Sequence, residues 1–165
     1  MKNSFERFAI RFPAAAALGL ALIALRGWSP AQIFTPLYAS PWEMGKLIYW
    51  PMLASLTLLA GLTGGVRKTL LRAAPALTLA PLALFLSCWA VSQMRPSGGV
   101  YLLIWVVLTA LGLAFCERKT GRASGIFAVL AAAVGLAYIL FTFLPPPLPP
   151  FLDPADVTAM AVIPV

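Results

Sequence analysis

Apolar residues fall in five runs along this chain, at 12–25, 47–66, 73–94, 96–116 and 123–143, and the charged residues lie in the segments between them. The last four runs are 20 to 22 residues long. About 20 residues at a rise of 1.5 Å cover the ~30 Å hydrocarbon core of a bilayer. The pattern predicts helices over about 8–26, 43–64, 71–93, 97–116 and 124–143, which together make an all-α integral membrane protein with five transmembrane helices in a single membrane domain. The first run is the shortest, with 14 uncharged residues between Arg11 and Arg26, about 21 Å as a helix. Residues 8–10 extend it, and the two arginines can carry their charged heads to opposite interfaces. A basic start before an alanine-rich run also fits a cleaved signal peptide. No clear small-x-small site precedes Arg26 and Gly27, so a retained span is the preferred reading.

Composition moves the whole chain into lipid. It is 61% apolar and 10% charged, whereas soluble domains carry about a quarter charged residues. A net charge of +7 would point a soluble domain toward nucleic acid. Here the basic residues stand in short tracts beside apolar runs, so anionic headgroups are the nearer partner and nucleic acid is excluded. The distribution of that charge sets a topology. Counted by alternate segments, Lys and Arg number nine on the side of the N-terminus and three on the other, and the positive-inside rule puts the N-terminus in the cytoplasm and the C-terminus outside. Five spans satisfy that parity.

Candidate chemistry is sparse. The chain has no histidine, two cysteines and five carboxylates, which leaves no ligand set for zinc, haem or an iron–sulfur cluster and no Ser–His or Cys–His pair. Cys88 and Cys116 fall near opposite ends of neighbouring runs, out of disulfide reach. The polar residues of the spans, Ser55, Thr57, Thr78, Ser87, Thr109 and Tyr138, are uncharged. That argues against an ion-coupled transporter, which needs an ionisable group near the midplane. Small residues at four-residue spacing, Gly61 with Gly65 and Ala131 with Gly135, predict close helix packing.

Two connections have more character. Ser40-Pro41-Trp42-Glu43 has Ser at an N-cap, Pro at the first helical position and Glu three residues after the cap, which predicts a capping box. Trp42, Tyr49 and Trp50 are expected near the outer interface, and Pro51 predicts a kink about one turn into the membrane. Pro75 and Pro81 predict that the third span bends or begins late. Segment 27–42, with Pro30, Pro36 and Pro41 among Trp28, Phe34 and Tyr38, is too apolar for a free loop and is expected at the outer interface. The tail 144–165 should leave its helix at Pro145 and continue as polyproline II, with Asp153 capping a short terminal turn over 155–160.

These two stretches carry a resemblance. The first, from Phe34-Thr35-Pro36 through Ser40, Trp42-Glu43, Lys46-Leu47 and Pro51, and the second, Phe141-Thr142-Phe143 through Pro145-Pro146, Pro149, Phe151 and Asp153-Pro154, resemble the F-x-P-x-x-x-S-x-W-E-x-x-K-L…P and F-T-F-x-P-P-x-x-P-x-F-x-D-P segments of a family of small multi-pass bacterial membrane proteins of unknown activity, labelled DUF6512. Together they span about 32 residues. This chain has Tyr38-Ala39 where the family pattern has Asn-Glu, and Met44 where it has His. The resemblance implies a bacterial cell membrane protein and no activity.

The charge count puts both stretches on the outer face, where they are expected to meet as a cap of Ser40, Trp42, Glu43, Lys46, Pro145, Pro146, Phe151 and Asp153. A non-enzymatic accessory or partner-binding membrane component is the leading expectation, its partners the lipid bilayer and another membrane protein, with no cofactor and no metal. The alternative is a lipid-handling enzyme or small-solute transporter with an outer-interface pocket, in which Glu43, Lys46 and Asp153 are the catalytic candidates. Against that, Glu43 and Asp153 already have capping roles.

Overall fold

In the computed structural model the described residues of each apolar run are mainly helical, which satisfies their peptide groups internally as a lipid solvent would require. The structure describes residues 2–25, 28–36, 40–63, 65–94, 98–116 and 124–151. Helix α1 covers Lys2–Ala24, α2 Pro41–Met44, α3 Lys46–Thr63, α4 Val66–Ser92, α5 Gly98–Cys116 and α6 Ser124–Phe143, with single 3-10 turns at Ser29–Ala31 and Pro149–Phe151. No strand is present among the described residues. Five helices are long and apolar enough to cross a membrane, α2 and α3 together forming one such span, Pro41–Leu62.

Helix α4 is the axis of the bundle and packs against α3, α5 and α6, while α1 leans on α3 and α5. Its buried face is rich in small residues, Ala73, Ala74, Ala76 and Ala80, so neighbouring backbones can approach closely. The outward faces of the bundle are as apolar as its interior, with Leu62, Leu103, Ile126 and Val129 well exposed. That suits a lipid solvent, which does not distinguish a leucine from an acyl chain.

Chain order alternates between two ends of the bundle. At one end α1, α4 and α6 finish while α2–α3 and α5 begin, and the turns at Ser29–Ala31 and Pro149–Phe151 lie over it; this is called the capped end below. The third span starts at Val66 rather than late, and Pro75 and Pro81 sit inside a continuous helix. The small-residue spacings also divide. Ala131 and Gly135 are buried on α6, where a Cβ at Gly135 would collide with the Tyr49 hydroxyl, whereas a Cβ at Gly61 or Gly65 would meet nothing within 4 Å. Of the two expected small-residue contacts, therefore, only the one on α6 is a packing contact.

Pro51 lies within α3 and cannot donate to the carbonyl of Leu47 one turn earlier. A group from another helix takes its place: the Trp105 indole N–H of α5 donates to the Leu47 carbonyl at 2.9 Å. The indole is also packed against α1, because a Cβ at Gly19 would collide with it. Trp105→Phe keeps most of the ring and strands the buried carbonyl, so it should cost about 1–3 kcal/mol. In a Pro51→Ala background, which restores a backbone donor, the same change should cost measurably less. Equal costs in a double-mutant cycle read by unfolding in detergent would mean the indole does not serve Leu47.

Candidate functional site

Ser40 begins the site. Its hydroxyl accepts the Glu43 N–H at 3.3 Å and Pro41 follows as the first helical residue, which is the N-cap arrangement expected from the residue types. The short α2 ends at Gly45, where the N–H bonds back to the Trp42 carbonyl at 3.1 Å, and α3 continues from Lys46. Glu43 and Lys46 are thus three residues apart on one helical path and project to the same side.

The pair is buried within the protein. Lys46 is 0% and Glu43 2% exposed. The Lys46 ammonium lies 2.7 Å from Glu43 Oε1, donates to Thr142 Oγ1 at 2.6 Å and reaches the Gln32 carbonyl at 3.4 Å. The Thr142 hydroxyl in turn donates to the Tyr138 carbonyl at 2.6 Å. The ammonium is thus engaged by one ion pair and two hydrogen bonds. Those partners come from the segment after α1, from α2 and from α6, so a single charged group ties three parts of the capped end together. The expectation that the spans hold no ionisable group is corrected here: both residues belong to the span Pro41–Leu62. They are tolerated there because each neutralises the other and Lys46 is further held by Thr142 and the Gln32 carbonyl.

Beside the pair stands a cluster of aromatic rings. Trp42 packs against Tyr138, Phe151, Phe85 and Phe141 at centroid separations of 4.8, 5.1, 5.4 and 5.6 Å, within the range in which ring pairs attract beyond their buried area. Trp42 and Tyr49 are buried within the protein and Trp50 is half-buried. The tail differs from the sequence reading. It leaves α6 after Phe143, but two tight turns, Leu148 N–H to the Pro146 carbonyl at 2.7 Å and Phe151 N–H to the Leu148 carbonyl at 2.9 Å, bend it back in place of a straight polyproline II run. Burial of the Phe151 ring against Trp42 holds that bend.

The structure therefore brings Ser40, Trp42, Glu43, Lys46 and Phe151 together, as expected of the cap. Pro145 is exposed and Pro146 half-buried on the outside of the bend. Asp153 and the terminal turn over 155–160 lie outside the described residues. Three contributors were not singled out: the Gln32 carbonyl, Thr142 and Phe85. The signal for Thr142 was its place in Phe141-Thr142-Phe143, while nothing local marks Phe85 or a backbone carbonyl. Cys88 and Cys116 are buried thiols that are not joined in a disulfide. No cluster of three His, Cys, Asp or Glu side chains exists among the described residues.

Four grooves along the described residues, of about 590, 400, 410 and 200 Å³, are lined by other side chains and include neither Glu43 nor Lys46. Comparison with protein-family models, curated proteins and solved structures finds no match.

Proposed function

We propose that this is a non-enzymatic component of a bacterial cytoplasmic membrane, with the N-terminus inside and the capped end outside, whose outer surface binds another membrane protein. The observation that carries the reading is the burial and engagement of Lys46. Its ammonium is wholly buried, ion-paired with Glu43 and hydrogen-bonded to Thr142 and the Gln32 carbonyl, so the residues best able to do acid–base or anion-binding chemistry are engaged in holding the fold. The orientation is supported by the nine-to-three distribution of Lys and Arg, and membership in the DUF6512 family by the two motif stretches. Around the sealed centre the capped end displays a rim of exposed apolar side chains, among them Trp28, Phe34, Leu144 and Leu148. Aromatic and leucine side chains on a backbone stiffened by proline suit partner docking, since little conformational entropy remains to be lost.

A photo-crosslinking residue at Leu148 in the native membrane should yield one defined protein adduct, and the same residue at the lipid-facing Leu130 should yield lipid adducts alone. Lipid adducts alone from Leu148 would contradict partner binding.

A second reading, small-solute passage or lipid chemistry near Glu43, is favoured by one observation. The Tyr138 hydroxyl and the Trp42 indole N–H are buried without a hydrogen-bond partner among the described residues, in the same cluster as Glu43. Glu43→Gln, which retains the capacity to cap, separates the readings: loss of a transport or lipid-turnover phenotype from a folded, inserted variant favours the second.

A further inference from the structure

Helices α3 and α6 both pack along α4. They are tied to each other toward the capped end, where Lys46 reaches Thr142 and the Tyr49 hydroxyl donates to the Ala131 carbonyl at 2.9 Å. Toward the opposite end they part. A groove of about 590 Å³ lies between them with α4 as its floor. Tyr49 and Ala131 close it at one end, Leu53 of α3 and Ala132 of α6 form its walls, and Leu70 and Leu77 of α4 lie along its floor. Ala132 is exposed, so the slot is open sideways to lipid.

Two features limit what can lie in it. The first is length. From Arg67 to Leu77 the floor of the groove advances about 15 Å, half of a ~30 Å hydrocarbon core and therefore the depth of one leaflet. A partner helix crosses the whole core and would run past the Tyr49–Ala131 closure, whereas a single acyl chain of one leaflet ends there. The second feature is charge. Arg67 is the one charged residue of the lining. It is exposed, makes no ion pair with a described residue, and stands at the mouth of the groove, at the level of the lipid headgroups. A cation at the head of an apolar slot of leaflet depth matches, in order, the phosphate and the chain of a membrane lipid.

We propose that this groove holds one acyl chain of an anionic glycerophospholipid from the leaflet at the uncapped end, with the lipid phosphate paired to Arg67 and the second chain left in the bilayer. Such a site requires the five helices to stand in a bilayer, and it is independent of partner binding at the capped end.

The test places the full chain in phosphatidylcholine vesicles with a minor share of phosphatidylglycerol that carries a diazirine near the end of one acyl chain, and maps the adducts formed on irradiation by peptide mass spectrometry. Adducts should concentrate at Tyr49 and Leu53. Ala132→Phe sets a ring in the open side of the groove and should abolish them, while Ala133→Phe, the same change at an exposed residue outside the lining, should leave them unchanged. Arg67→Gln should lower their yield about fivefold, and Lys68→Gln, which removes the neighbouring charge outside the lining, should not. Arg67→Lys keeps the charge and should retain most of the yield, which separates loss of the head contact from loss of the fold. Equal yields from Ala132→Phe and Ala133→Phe would overturn the groove in favour of ordinary boundary lipid. Equal yields from Arg67→Gln and Lys68→Gln would overturn the pairing with Arg67, and loss of the adducts to an equimolar long-chain fatty acid would overturn the phospholipid assignment.

Discussion

Replacing Lys46 with Met should destabilise the protein by about 3–5 kcal/mol, the usual consequence of leaving one member of a buried ion pair without the other. Lys46 is wholly buried and Glu43 nearly so, and their charges stand 2.7 Å apart. Without the ammonium, the Glu43 carboxylate loses its counter-charge in a site that cannot supply water, and Thr142 and the Gln32 carbonyl lose the donor that joins them. The substitution should therefore loosen the segment after α1 and the end of α6 together. Adding Glu43→Met to it removes the stranded charge, and since the capping contact at this position uses the Glu43 backbone N–H, the double variant should recover most of the loss. The check is the unfolding midpoint of the single and double variants in one detergent. A silent Lys46→Met would show that the ammonium reaches solvent. A double variant no better than the single would show that the charge of Glu43 is not what the Lys46 ammonium compensates.

The second large effect is steric. Gly45 is in an ordinary right-handed helical conformation, so its lack of a side chain is not required by the backbone. It is required by Tyr138, whose hydroxyl occupies the space a Cβ would take. Gly45→Ala should cost about 1–3 kcal/mol through overpacking at a rigid ring. Tyr138→Phe removes the nearest colliding atom, and that hydroxyl has no hydrogen-bond partner among the described residues, but the ring Cζ would still lie 2.8 Å from the new Cβ, so Gly45→Ala/Tyr138→Phe should recover part of the loss. Gly135 provides the contrast. It faces the Tyr49 hydroxyl in the same way, but that hydroxyl donates to the Ala131 carbonyl at 2.9 Å. In Gly135→Ala/Tyr49→Phe the partial relief of the clash is further offset by a lost hydrogen bond, and recovery should be smaller than in the Gly45 pair. Thermal unfolding of both double variants against their singles reads the difference, and equal recovery in the two would contradict the assigned roles of the hydroxyls.

Helix number and approximate limits were legible because an apolar run of about 20 residues has one common solution in lipid. The cap at Ser40 was legible for a different reason, since Ser, Pro and Glu at that spacing act on their own backbone. What sequence reasoning lost depends on residues far apart in the chain. Lys46 reads as a boundary charge until Thr142, 96 positions later, is seen to receive it. Pro51 reads as a kink until an indole 58 positions from Leu47 takes the orphaned Leu47 carbonyl. The tail reads as polyproline II because its composition says so, and nothing local reveals that Phe151 bends back to Trp42. The two motif stretches marked the right region, which is a buried, ion-paired centre of the fold instead of an open reactive surface.

That region has functional meaning only if it faces outward. In intact cells, single cysteines introduced at Ser97 and at Thr120, with Cys88 and Cys116 replaced by alanine, are treated with a membrane-impermeant thiol reagent. A five-span protein with its N-terminus inside gives labelling at position 97 in intact cells and at position 120 only after the membrane is opened. Labelling of 120 and protection of 97 in intact cells would put the cap in the cytoplasm, and labelling of both in intact cells would contradict the five-span arrangement itself.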